Sequence, residues 1–513
     1  MTPADRWFRR AFRPGLLLLA GLLFLATAAR SQGRADPLRG LDRYIEQAMR
    51  RWDLPGLAIG IVKDDSLVYA RGFGVRERGK PGKVDENTLF AVASNTKAVT
   101  ATALGLLVAE GKVSWDAPVT RYLPWFQLRD PWVTREATVR DLLTHRMGYG
   151  TWQGDLLWYG STYDTREALR RWRYVEPVRS FRSGYGYTNH GFNAAGEIIA
   201  DESGMSWADF VRQRLLEPLG MTRTRTSTAD LAAMDDVAMP HTRIGDSIVV
   251  LPYRRLDNAQ GAAGLNSSVR DWAQWLRLQL AYGRWQGRQL VDSAVIRETR
   301  TPQMILPFGG WSRAHFPSTH FSAYGLGWFL RDYRGRMIVM HSGGMDGMLS
   351  QTAFLPEENL GVVIFTNSDD QSLYAALLFR VIDLYLGPPV QDWSGIYYER
   401  DHGGGPAAEP VRVAGTSTTV PLEAFVGSYR NAVLGEASVT LNRDTLWMAL
   451  PAHPGLVGWL EHWNYDAFRA HWKDRYLGTS LIPFTLDERG RPVTFTVSVR
   501  PDFVDPMEYR FER

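Results

Sequence analysis

The sequence predicts an α/β domain, an antiparallel sheet flanked by helices, followed by a small all-β domain. Three observations carry that prediction. Helical periodicity and strand-like alternation intermix between residues 37 and 388, a Gly/Pro-rich stretch interrupts the chain near residue 402, and roughly the last 90 residues hold only short β-rich runs. The length agrees, because 513 residues exceed one ordinary core and imply two folded units with appendages.

The elements follow in order. Arg9, Arg10 and Arg13 precede an uncharged run, Gly15 to Ala29, that ends in the small-residue site Ala26-Thr27-Ala28. A basic region, an apolar stretch of this length and such a site predict a signal peptide over residues 1–29. The run falls short of the roughly 20 residues that span a bilayer, which counts against the alternative of an uncleaved anchor. The mature chain is therefore expected to be secreted or periplasmic, with no membrane contact after signal removal.

Residues 37–52 place Leu41, Tyr44, Ile45 and Met49 at helical spacing. Gly56–Val62 and Leu67–Ala70, joined through Asp64-Asp65, read as a hairpin. Ser94 opens a helical pattern that Gly111 is placed to end. Tyr324–Leu330, Met337–Met340, Gln351–Leu355 and Gly361–Phe365 read as consecutive antiparallel strands, and Gln371–Leu386 as a helix closed by Gly387-Pro388-Pro389. These bounds set a first domain at 35–388 and a linker at 389–421, the latter rich in Gly, Pro, Thr and Ala over 402–421. In 422–513, strands are predicted at Phe425–Tyr429, Ala437–Leu441, Thr445–Leu450, Leu481–Leu486, Val493–Val499 and Met507–Phe511, enough for a small barrel or sandwich. Beyond a linker, this unit is expected to fold by itself and to modulate access or assembly.

The pI near 9.1 points first to nucleic acid, and the position of the charges removes that reading. Residues 1–29 hold Arg6, Arg9, Arg10 and Arg13 against Asp5, so +3 of the chain's +4 lies in the leader. The remaining +1 leaves no basic stripe for a phosphate backbone. The absence of Cys excludes disulfides, thiolate metal sites and Cys nucleophiles. His462 and His471 have no third ligand at a useful spacing, so neither a metal nor another cofactor is expected.

With 6 Lys against 53 Arg, each lysine merits inspection, and only Lys97 has a Ser three residues before it. Residues i and i+3 share a helix face, so in Ser94-Asn95-Thr96-Lys97 the amine approaches the hydroxyl. A buried Lys sheds its charge and accepts a Ser proton, which Arg does not do. Six lysines give such a spacing by chance about a quarter of the time. A second element is Tyr187-Thr188-Asn189, a phenol for proton relay and an amide for a substrate carbonyl. The same spacing recurs at Tyr429-Arg430-Asn431. The third is His341-Ser342-Gly343-Gly344 at a strand end, where glycine admits a substrate along the strand and the Gly344 N–H serves an oxyanion. The aromatic stretch from Tyr149 through Trp152, Trp158, Tyr159 and Trp172 reads more readily as packing than as a cleft wall.

In this order, the three motifs resemble the serine β-lactamase and penicillin-binding protein superfamily, especially its class C-like branch of D-stereospecific peptidases and esterases. LFAVASNTKAVTATAL is similar to that family's nucleophile helix, TVRDLLTHRMG to its LLTHxxG segment and GAAGLNSSVRDWAQWL to its turn before a helix. The likeness spans about residues 37–388, and LEAFVGSYRN, LEHWNYDAFRAHW and DFVDPMEYRFER resemble the lipocalin-like barrel attached to many relatives. The resemblance implies that Ser94 is acylated, that Lys97 and Tyr187 share base and acid work, and that Asn189, His341, Gly343 and Gly344 bind substrate. His341 stands where dedicated β-lactamases carry a Lys, so the cation for a substrate carboxylate is in question.

The implied function is an exported serine hydrolase acting through an acyl-enzyme on small amides, D-residue peptides or esters. The alternatives are a β-lactamase or cell-wall D,D-carboxypeptidase, and, in another class, a non-catalytic penicillin-binding-like protein. Expected partners are a small-molecule or peptide substrate, with the C-terminal domain a candidate surface for a homo-oligomer.

Overall fold

A computed structural model describes residues 36–404 and 411–513. The expected signal peptide lies outside the described residues. The helices that build the layers are α1 (Leu41–Trp52), α2 (Thr96–Ala109), α3 (His190–Ser203), α4 (Val269–Leu280), α5 (Leu373–Leu386) and α6 (Trp393–His402). The main sheet contains β1 (Gly56–Lys63), β2 (Ser66–Gly74), β3 (Met304–Ile305), β4 (Ser322–Tyr324), β5 (Phe329–Tyr333), β6 (Arg336–Met345), β7 (Met348–Leu355) and β8 (Leu360–Thr366). They run in the order β2-β1-β8-β7-β6-β5-β4-β3, each antiparallel to its neighbours.

The central strands are apolar on both faces because both faces are covered. Ile59, Ile61, Val362 and Ile364 pack with α1, α5 and α6, whereas Ala58, Val62, Val363 and Phe365 belong to the core that holds α2, α3 and α4. The period of two along each strand thus divides one run between two cores. The stretch expected as one strand, Tyr324–Leu330, is instead two strands joined by a tight turn, in which Gly325 donates to the carbonyl of Trp328 at 2.8 Å. Gly327 makes the turn with φ +83°, and a Cβ there would lie 2.9 Å from the Lys97 carbonyl.

Residues 393–402, placed in the expected linker, form α6. Trp393 is fully buried against α5, and Trp52 of α1 donates its indole N–H to Ser394 at 3.0 Å, so this segment belongs to the first domain's core. Beyond it, β9 (Gly427–Asn431), β10 (Gly435–Asn442), β11 (Thr445–Ala449), β12 (Val457–Asn464), β13 (Ala467–Trp472), β14 (Thr479–Leu486), β15 (Pro492–Val499) and β16 (Asp505–Glu512) pair in sequence and close through Arg430 and Glu512. The chain therefore combines an α/β domain around an antiparallel sheet with a closed eight-stranded barrel. Strands β12 and β13 escape sequence prediction because Trp, His and Asn crowd both of their faces. Their alternation is nevertheless regular, with Leu460, Phe468, Ala470 and Trp472 inside and Trp459 and His471 outside.

The barrel docks on the first domain at the turn over residues 154–156. Asp505 accepts hydrogen bonds from the Gly154 and Leu156 N–H groups at 3.3 and 3.0 Å, and His453 Nε2 donates to the Leu156 carbonyl at 2.8 Å. Arg254 pairs with Asp346 of the first domain at 2.5 Å and with Asp474 of the barrel at 2.8 Å. Asp505 and His453 are both buried, so these are interior contacts.

Candidate active site

Ser94 sits in a short 3-10 turn, Ala93–Asn95, that leads into α2. Ala93 takes φ +46°, a region that costs a non-glycine residue about 1–3 kcal/mol and that tends to persist at functional sites. The turn is pinned from below: Asn95 Nδ2 donates to Ser350 Oγ at 2.8 Å, and Ser350 donates to the Val92 carbonyl at 2.8 Å. Strand β6 presses on the same turn. A Cβ on Gly343 would lie 2.2 Å from the Val92 carbonyl oxygen and 3.0 Å from the Ser94 nitrogen, so no larger residue fits there.

Helix α2 brings Lys97 under Ser94. Its amine is fully buried and bonds to Ser94 Oγ at 2.9 Å, Asn189 Oδ1 at 2.6 Å and the Ala262 carbonyl at 3.1 Å. Burial disfavours the ammonium and lowers its pKa to about 7, against a smaller upward pull from Asp155. The amide of Asn189 cannot turn over, because its Nδ2 donates to Asp155 Oδ2 at 2.6 Å. Asp155 also accepts from the Trp158 indole at 2.8 Å, and burial raises its pKa to about 8.

Tyr187 stands beside Ser94 on the loop that precedes α3, and both line the same cavity. Its ring lies 4.8 Å below the Lys97 amine and 4.3 Å from the His145 ring. Burial holds the phenol well above its ordinary pKa, so it stays protonated at neutral pH. His145 fixes this loop by accepting the Thr188 N–H on Nδ1 at 3.0 Å. His341 has its ring nitrogens 2.6 Å from the Ser342 carbonyl and 3.0 Å from the Tyr324 hydroxyl. A carbonyl only accepts, so Nδ1 carries the proton and Nε2 receives the phenol. Burial and the nearby Lys97 depress the His341 pKa to about 3, leaving an uncharged ring.

A cavity of about 300 Å³ opens over Ser94. It is lined by Tyr187, Asn189, His341 and Gly344, by Trp152, Trp158 and Tyr159 from the aromatic stretch, and by Phe503 and Val504 of the barrel. The aromatic stretch thus has both roles, because Tyr149 and Trp172 are core. The structure gathers every residue singled out in the three motifs. Sequence reasoning passed over Asp155, Tyr324, Asp346 and the barrel loop, which lie in no recognisable spacing. The one available signal for Asp155 was an acid isolated in the apolar run GDLLWYG.

A Ser-Lys-Tyr cluster where an antiparallel sheet meets helices α2 and α3 places the chain among the β-lactamase/transpeptidase-fold serine hydrolases. The chain belongs to the beta-lactamase family, whose model matches residues 41–386. Residues 411–513 match a second model, described as a domain of unknown function, DUF3471. Unguisins hydrolase ungD' from Aspergillus campestris is 28% identical over 436 residues, covering 78% of this chain and 77% of that protein. Among solved structures, the octameric penicillin-binding protein homologue from Pyrococcus abyssi aligns with a TM-score of 0.60 at 23% identity, covering 93% of this chain and 100% of that one. A D-stereospecific amidohydrolase from Streptomyces sp. aligns with a TM-score of 0.52 at 22% identity over 64% of this chain and 94% of its own. These two likenesses bear on the fold.

Proposed function

We propose that this family member is an exported serine hydrolase that forms an acyl-enzyme on Ser94 and cleaves small uncharged amides or esters, D-residue peptides among them. The observation that carries the reading is the Lys97 amine, buried 2.9 Å from Ser94 Oγ with a pKa near 7. A neutral amine has two N–H donors and one lone pair. Asn189 Oδ1 and the Ala262 carbonyl take the two donors, which leaves the lone pair for the Ser94 hydroxyl proton.

Ser94 Oγ then attacks the substrate carbonyl carbon while Lys97 takes its proton, and the oxyanion is received by the Ser94 and Gly344 N–H groups. Tyr187, held neutral, donates to the departing nitrogen or oxygen as the tetrahedral intermediate collapses. The Lys97 ammonium returns that proton to Tyr187, and water repeats the sequence to release the acid.

The pocket also speaks to substrate charge. His341 is neutral, among the described residues lining the cavity there is neither Arg nor Lys, and the nearby Arg254 is already paired with Asp346 and Asp474. A free carboxylate finds no counter-ion there, which disfavours a dedicated β-lactamase or D,D-carboxypeptidase. A silent binding protein has no need of a lysine buried at this cost. The hydrolase name of the Aspergillus relative supports hydrolysis in general. Nitrocefin, p-nitrophenyl esters and D-amino-acid amides, assayed against a Ser94→Ala control, test the assignment, with Ser94-dependent turnover of the neutral substrates expected.

Export is part of the proposal and rests on the leader's composition; cell fractionation should find the protein outside the cytoplasm. Self-association through the barrel rests on Trp447 and Trp459, cross-strand neighbours exposed on its outer face, and light scattering checks it.

A further inference from the structure

We propose that the barrel supplies the specificity wall of the active site, with Phe503 as the stop that ends the substrate path along β6. The inference rests on the Ser94 reading and extends it to substrate length. Strand β6 pairs with β5 only over Arg336–Met340, whereas 341–345 pair with β7 alone. The stretch from His341 to Met345 is therefore an open edge beside Ser94, ready to receive an extended substrate backbone by strand addition. Phe503 closes its far end. A Cβ on Gly344 would lie 3.9 Å from Phe503 Cζ, so the ring sits directly over that residue. Across the cavity mouth it faces Trp152 of the first domain, ring centroids 6.1 Å apart.

The loop carrying Phe503 is braced rather than free to swing. Phe503 and Val504 donate backbone N–H groups to the Arg500 carbonyl at 3.0 and 2.8 Å, and Arg500 bonds to the Tyr476 carbonyl at 2.8 Å. Asp505, the next residue, is buried and holds the Gly154 and Leu156 N–H groups, which flank the Asp155 that orients Asn189. One short segment of the barrel therefore limits the substrate and buttresses the catalytic loop. A cavity of about 300 Å³ lies at the small end of ligand sites, which suits a substrate of one or two residues.

The test uses full-length protein with two ladders of D-phenylalanine amides, one extended by zero to two residues on the acyl side and one on the leaving side. The wild type should accept extension on one side and reject it on the other. Phe503→Ala should raise kcat/KM for the rejected extensions, taken as a ratio to the shortest amide, about tenfold or more, the range a single misplaced group commands in a closed pocket. Phe503→Trp should shorten the accepted length further. Identical length profiles in wild type and both variants, with Ser94 still labelled by a fluorophosphonate, would overturn the wall and leave the nucleophile assignment standing. Absence of Ser94 labelling and of turnover on either ladder would overturn the functional reading, and the wall with it.

Discussion

Acylation of Ser94 should titrate with the Lys97 amine. An exposed lysine of pKa 10.5 is neutral in about one molecule in 3,000 at pH 7, whereas a pKa of about 7 makes half the molecules competent. The depression corresponds to roughly 5 kcal/mol of burial penalty on the ammonium, drawn from fold stability. Because the neutral form is the base, the rate rises with pH. From the titration curve, acylation by a neutral fluorophosphonate should be about fivefold slower at pH 6 than at pH 7, and about fiftyfold slower at pH 5. Stopped-time labelling, read by intact-protein mass spectrometry between pH 5 and 9, measures that curve. Lys97→Arg keeps the charge, but a guanidinium stays protonated at every working pH, so a folded variant should lose at least about a hundredfold. A flat profile from pH 5 to 9, or near-normal acylation by folded Lys97→Arg, would refute the base role and pass it to Tyr187.

Further outcomes follow from the same geometry. Asp155→Asn sets an amide N–H against the Asn189 N–H, so the Lys97 acceptor turns away and acylation should fall about 5–150-fold, the equivalent of one unsatisfied buried group; a double-mutant cycle with Asn189→Ala should be non-additive. Penicillin methyl esters should acylate Ser94 faster than the free acids, because the cavity pairs no cation with a carboxylate, and the ratio of the two labelling rates reads this out. Gly343→Ala places a methyl 2.2 Å from the Val92 carbonyl and should cost about 1–3 kcal/mol in denaturant unfolding as well as displacing Ser94. Asp505→Ala orphans the Gly154 and Leu156 N–H groups at about 1–3 kcal/mol each, visible as a lower melting temperature.

Much of this architecture was legible in the chain. Strands β1 and β8 announce themselves as apolar runs because both faces are buried, and α1 shows its one-sided stripe plainly. Ser94 and Lys97 were legible because a single helical turn fixes their approach. What stayed hidden depends on partners far apart in sequence. Asp155 acquires its role only from Asn189, 34 residues on, and from Asp505, 350 residues on. The barrel reads as a separate unit behind a Gly/Pro stretch, yet its docking is written in single residues, Asp505, His453 and Asp474, that carry no periodic signal. The charge state at His341 was likewise undecidable until the Ser342 carbonyl and Tyr324 hydroxyl fixed its tautomer.

The central claim is that Ser94 is the residue that becomes acylated. Intact-protein and peptide mass spectrometry after treatment with a fluorophosphonate tests it most directly. One adduct per chain on the peptide containing Ser94, absent in a folded Ser94→Ala variant, is the predicted result; an adduct that persists in Ser94→Ala, or that maps to another residue, would contradict it.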